Sequence, residues 1–338
     1  MIPYKYILFR IIAIFPVVVG AVTLMFIIMR LIPADPVLML IDPAHRTPEV
    51  IASMRKAMGL DQPLYVQYFS YLFNVFRGDL GYSWHSGHTV TEELIMRFPA
   101  TLELVTISLI VCVLVGIPLG ILAGWRRGKM ADHFASGITL AGLSLPPFWW
   151  GIILIILFYF FIPLCPAPLG RISIGVNPPT HITGLYLLDS LLTGNTVVFV
   201  DSFRHLILPV AALAFFNLAL LTKLQRSEIA EALESDYIKT ARAKGASETT
   251  VLFKHALKNA LLPTITEIGL IFGGLIGGEV VVEQVFSWPG MGRYAVDCIQ
   301  FVDYAGLQGF IIVVVLTFTV VNLITDLLYA FIDPRIKQ

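Results

Sequence analysis

Charge is what this chain is shortest of. Only 14% of its 338 residues are Asp, Glu, Lys or Arg, against about a quarter in a soluble domain. Lys plus Arg and Asp plus Glu each number 23, so no net charge of either sign points to nucleic acid or to an acidic partner. Cysteine is scarcer still. Cys112, Cys165 and Cys298 have no zinc spacing and make no disulfide framework; Cys165 and Cys298 fall on one predicted side, where a bridge is geometrically conceivable. A P-loop is missing as well. The nearest string, Gly124-Trp-Arg-Arg-Gly128-Lys129-Met130, is one residue short and lacks the hydroxyl that reaches magnesium. No internal repeat and no low-complexity tract breaks the pattern.

What remains is apolar: 57% of the residues are hydrophobic, in runs that approach or exceed the ~20 residues needed to cross a bilayer core. These runs predict an all-α polytopic membrane protein with six spans, at about 11–32, 101–124, 135–162, 205–222, 261–283 and 306–331. The first run ends at Arg30 and Pro33 without a small-x-small cleavage site, so it reads as a retained helix. The basic residues set the orientation. With both termini inside, the inner segments hold 14 of the 23 Lys/Arg, and the nine outer ones are spread over far more chain. The predicted outer segments are 33–100, 163–204 and 284–305, the first and largest following span one. Within it Thr47 is a candidate N-cap, Pro48 the first helical residue and Gly59 a stop. Residues 163–204 read as irregular.

Breakers lie at Gly116/Pro118, Pro146-Pro147, Pro209 and Pro263. Span five is rich in glycine. Gly269, Gly273 and Gly277, and likewise Gly274 and Gly278, are spaced for close helix packing, while Gly273, Gly274, Gly277, Gly278 and Glu279 are also candidates for lining a path. Ionisable residues inside spans require an account. Arg30 and Glu103 are expected near the outer interface, within snorkelling reach of water. Glu267 lies nearer the inner side. Glu283 and Asp326 are read as structural hydrogen-bonding groups, and Glu279 as a possible partner for an ammonium group. His85-x-x-His88 lacks the Glu and third ligand of a zinc site, and no nucleophile–base set suggests an enzyme.

The inner segment 223–260 is polar and carries seven Lys/Arg: Lys223, Arg226, Lys239, Arg242, Lys244, Lys254 and Lys258. Asp236 is a candidate N-cap for a short helix through Tyr237, Lys239, Thr240, Ala241, Arg242 and Lys244, with Gly245 as its stop. A second amphipathic stretch is expected from Ser247 to near Asn259. Such a helix can be gripped by a soluble partner, or can lie on anionic membrane lipid.

The same segment resembles the EAA signature of ABC-importer permeases, though its Glu, Ile and terminal Pro are absent. Tyr237 to Gly245 and His255 to Pro263 are closer to the oligopeptide/dipeptide/nickel subfamily. So are G-L-D-Q-P-L from Gly59, G-D-L-G-Y-S from Gly78, F-P-A-T-L-E-L from Phe98 and S-L-P-P-F-W-W from Ser144. F-S-W-P-G-M-G-R from Phe286 and D-L-L-Y-A-F-I-D-P-R-I from Asp326 complete the set, which runs nearly the length of the chain. The resemblance implies the type I ABC importer permease fold and the first of two permease subunits in a bacterial inner membrane. It implies as partners a second permease, two cytoplasmic ATPases that bind ATP and Mg, and an extracytoplasmic substrate-binding protein. Residues 236–245 would be the coupling helix. The solute could be a dipeptide, a longer peptide, glutathione, a nickel chelate or an antimicrobial peptide. The competing expectation is a secondary transporter or channel that uses Glu267, Glu279 and Asp326 as ion sites.

Overall fold

The computed structural model describes residues 4–31 and 35–332, so Pro33 and the basic residues Arg335 and Lys337 lie outside it. Helix α1 (Tyr4–Leu31) leads into a segment built of α2 (Pro36–Leu40), α3 (Pro48–Ala57), α4 (Leu64–Phe76) and a hairpin of β1 (Tyr82–Ser83) and β2 (His88–Thr89). Next come α5 (Val90–Trp125), α6 (Met130–Ser144) and α7 (Pro147–Ile155), the last running into a π-helical turn over Ile156–Phe161. The central part comprises α8 (Tyr186–Leu192), α9 (Thr196–Glu234), α10 (Asp236–Ala243) and α11 (Glu248–Thr250). The chain then forms α12 (Leu257–Gly278), α13 (Val280–Val285), α14 (Met291–Gln300) and α15 (Tyr304–Ile332). Among the described residues five helical segments are long and apolar enough to cross a membrane, or six if the bent pair α6–α7 is one span.

Several boundaries depart from expectation, each for a local reason. Helix α5 starts at Val90 rather than near 101, because Thr89 and Glu92 close a capping box: Glu92 N donates to Thr89 Oγ1 (3.2 Å) and Thr89 N to Glu92 Oε2 (3.1 Å). Span three is not straight. Leu145 is extended (φ −134°, ψ 146°) before Pro146, Pro147 opens the next helix, and the two halves meet at 97°. Helix α9 continues through Lys223 and Arg226 to Glu234, since no breaker interrupts the chain before Ser235. Segment 223–260 is therefore helical from its first residue. In the 33–100 segment Thr47 does cap α3, accepting from Val50 N (3.3 Å), and Gly59 follows that helix at φ +66°. The 163–204 segment is irregular only to Leu185, after which α8 and the start of α9 take over.

The central helix is α9, whose side chains from Val198 to Ile229 are largely buried. Helix α5 lies directly on it through a stripe not anticipated from the sequence, Gly116, Gly120 and Gly124. A methyl group at Gly120 would stand 2.8 Å from Thr222 O, and one at Gly124 2.7 Å from Arg226 O. Only glycine permits this approach of two backbones. All three cysteines are free, so Cys165 and Cys298 are not bridged. Burial pushes the Cys298 thiol up to about 12, which keeps it protonated.

At the end of the bundle that carries α2–α4, buried polar contacts fasten the loops. Glu103 is 4% exposed, not at an interface. It accepts from Arg171 Nη2 (2.7 Å) and Leu187 N (2.8 Å), while Arg171 also donates to Gly184 O (2.9 Å) and stacks on Tyr186. Arg30 donates to Gln67 Oε1 (2.7 Å) and lies over the Phe26 ring. Beside these, Asp189 accepts from Ile182 N, Thr183 N, Thr183 Oγ1 and Gly184 N. Burial pushes its carboxyl up, but four bonds to the charged form outweigh that and hold it below the ordinary 3.8. A depressed carboxyl contributes stability above its ordinary value and loses it as pH falls through the folded one. The melting-temperature gap between the chain and Asp189→Asn should accordingly be widest near neutral pH and shrink as pH falls below the ordinary 3.8; a gap unchanged with pH would contradict this.

Candidate functional site

Two features stand out at the other end and in the middle of the bundle. The first is α10. Ser235, not Asp236, occupies its N-cap position (φ −70°, ψ 154°), and Ser235 Oγ bonds back to Ala232 O. Asp236 sits in the first turn, where Lys239 Nζ donates to it (2.8 Å) and its charge suits the positive end of the helix. Gly245 ends the helix at φ +81°, a conformation open to glycine at little cost.

One face of α10 is anchored. Ile238 is fully buried against Val251 and Ala256, with Ala241 packed at the edge of that small core. Arg242 reaches across to Glu248 with both Nε (2.8 Å) and Nη2 (3.1 Å), a bidentate clamp between α10 and α11. The other face is open: Tyr237, Lys239, Thr240, Ala243 and Lys244 are exposed. Lys244, Lys254 and Lys258 have no acidic partner among the described residues, whereas Arg226 is claimed by Asp132 of α6. The stretch after Ser247 does not stop at Asn259. Ser247 caps it (3.3 Å from Thr250 N), and it passes through a π-helical turn over Val251–Ala256 straight into α12. A push on α10 is thus delivered to two long helices at once, α9 through Ser235 and α12 through the clamp.

The second feature is a groove of about 290 Å³ along α12, lined by Asn217, Glu267, Leu270, Gly274 and Glu279 among others. The glycines of this helix divide into two faces. Gly269, Gly273 and Gly277 press on α15, where a methyl group would collide with Thr325, Phe318 and Val314. Gly273 and Gly277 therefore pack against α15. Gly274 and Gly278 are exposed and a methyl group added at either would meet nothing within 4 Å; Gly274 lines the groove together with Glu279. Glu279 stands at the break between α12 and α13. Asn217 was not anticipated; its signal was an amide inside the apolar run of α9, where it donates to Leu213 O (2.9 Å).

Glu283 has a different role. It is 3% exposed and accepts from Thr101 Oγ1 (2.7 Å) and Arg293 N (2.9 Å). Met291 N donates to the same Thr101 hydroxyl oxygen (2.8 Å), and Trp288 Nε1 to Ala100 O (2.9 Å). The strings from Phe98 and from Phe286 are one joint, with Glu283 at its centre. Asp326 is half-buried in α15 and does not line the groove. His85 stacks on Phe301 at 3.6 Å between ring centres, and the described residues contain no cluster of three metal-binding side chains.

Comparison with known proteins bears on what these features serve. Residues 116–338 match the family described as binding-protein-dependent transport system inner membrane component, and residues 3–105 match the N-terminal region of such membrane components. The chain is 45% identical over 322 residues to the "Probable D,D-dipeptide transport system permease protein DdpB" of Escherichia coli, covering 95% of this chain and 94% of that one. To the dipeptide transport system permease protein DppB of the same species it is 41% identical over 336 residues, 99% of each. It is 36% identical over 333 residues to the glutathione transport system permease protein GsiC of Salmonella paratyphi A, covering 98% and 99%.

Proposed function

The chain belongs to the family of inner membrane components of binding-protein-dependent transport systems, and from that premise we propose that it forms half of the path of an ATP-driven importer for di- or oligopeptides. It is a multi-pass transport permease. The observation that carries the finer reading is α10: a short helix with one face locked to α9 and α12 and the other open, at the end of the bundle where unpaired lysines gather. A cytoplasmic ATPase seated on that face would move both helices when it binds ATP and Mg and closes on its twin. Both termini then lie in the cytoplasm of a bacterium, and α2–α4 face outward, where a substrate-binding protein docks.

A second permease subunit would close the open groove, turning Gly274, Gly278 and Glu279 toward the path. Short peptides as solutes are supported by the names of the relatives, which handle dipeptides, D,D-dipeptides and glutathione. Glu267 and Glu279 on one wall suit an ammonium group in an apolar setting. If they line the path, cysteine at Glu279 in the assembled transporter should react with a charged thiol reagent at a rate that differs at least severalfold between nucleotide-free and ATP-trapped states. An unreactive thiol in both states would place Glu279 in packing and remove the groove from the path.

A further inference from the structure

Between α1, α4, the hairpin and the start of α15 lies a separate cavity of about 290 Å³, near the lower bound of sites that hold small molecules. It shares no residue with the groove on α12. Its lining contains polar groups that the fold leaves unanswered. Gln308 is 5% exposed, and its amide Nε2 is buried without a hydrogen-bond partner. The Tyr71 hydroxyl is buried and unpartnered in the same way. Arg30 gives one hydrogen bond to Gln67 and rests on Phe26, yet no carboxylate lies within ion-pair distance of it among the described residues. Buried donors left unmade are costly and rare, and each calls for a partner.

All three groups can donate, so an acceptor suits the cavity, and the unpaired charge of Arg30 favours an anionic one. Arg30 adds positive charge in a planar fork that fits a carboxylate. Asp303 lines the same cavity, with its carboxylate already accepting from Ser83 Oγ and from Gly306 N (3.1 Å). A second negative charge on the wall opposes a phosphate dianion and favours a ligand that also bears an ammonium. Trp84 and Tyr82 supply aromatic surface. We propose that this cavity is a binding site for a zwitterionic amino acid or dipeptide, its carboxylate held by Arg30, Gln308 and Tyr71 and its ammonium turned to Asp303. The site is apart from the groove and stands on the cavity's own chemistry, whichever solute the groove passes.

The test uses the full chain in lipid nanodiscs, read by its melting temperature and by quenching of tryptophan fluorescence, with Ala-Ala as the probe. Ala-Ala should give a saturable upward shift, and its C-terminal amide should need a concentration at least tenfold higher for the same shift. Gln308→Leu should melt above the parent without probe, since an orphan donor is gone, and should bind Ala-Ala roughly tenfold more weakly. Arg30→Gln should lose the shift as well, and Trp84→Phe should lose the quenching while keeping the shift. Equal stabilisation by the acid and the amide, an unchanged response in Gln308→Leu or Arg30→Gln, or a response to inorganic phosphate but not to Ala-Ala would each overturn the proposal.

Discussion

Arg171→Met is expected to lower sharply the amount and the melting temperature of the folded chain. The substitution keeps the volume and apolar stem but strips Glu103 of its counter-charge at a position only 4% exposed. Glu103 would retain one donor, Leu187 N. Removing one member of a buried ion pair costs about 3–5 kcal/mol, a large part of the roughly 5–15 kcal/mol that separates folded from unfolded domains. The loss spreads further, because Arg171 also ties Gly184 O and the Tyr186 ring to the bundle. The double variant Glu103→Gln, Arg171→Met has no orphaned charge and should recover a clear share of the loss. Size-exclusion recovery and melting temperature of the three chains in one detergent would decide it. A single variant as stable as the parent would return Glu103 to the water interface.

The second large effect is expected at Ala243. A charge there should cut ATP-driven uptake to about a tenth or less, as a disrupted hot spot of 2 kcal/mol or more would do, without lowering the amount of inserted protein. Ala243 is exposed on the open face of α10 and takes no part in the small core under it. Ala241 looks equivalent in the sequence but packs at the edge of that core, so a charge there would confuse misfolding with lost coupling. Aspartate at 243 also sits poorly at the negative end of the helix, a local cost of about 0.3–1 kcal/mol. Ala243→Ser bears no charge and should transport normally. Full uptake by Ala243→Asp, at parental protein levels, would show that nothing grips this face.

The apolar spans, five or six according to how the bent pair α6–α7 is counted, and the short basic helix were legible because both rest on local signals, apolar runs of sufficient length and a glycine stop at Gly245. The break at Pro146-Pro147 was visible as a breaker, but its 97° bend was not, because a proline pair marks where a helix stops and not the angle at which it resumes. Glycine spacing in α12 announced close packing; that Gly273 meets α15 while Gly274 meets open space depends on where the partner helix lies. The stripe Gly116, Gly120, Gly124 carried the same four-residue signal and was readable in principle. Glu103 misled for a different reason. Hydropathy places a charge near the end of a run at the water boundary, and nothing local indicates that Arg171, from a distant irregular segment, folds over to cover it. The capping box at Thr89 and Glu92 was a local motif that extended α5 beyond its apolar stretch, which a search for hydrophobic runs could not register.

If this chain works as one half of an ATP-driven pair with α10 as its handle, purification from its native membrane will reveal the other members. In gentle detergent the parental chain should bring with it a second permease and one or two ATPases, identified by mass spectrometry. The Ala243→Asp chain should still bring the permease but little or no ATPase. Recovery of the parental chain alone, with transport retained after reconstitution, would rule out the ATP-driven pair and place the motive force within this chain.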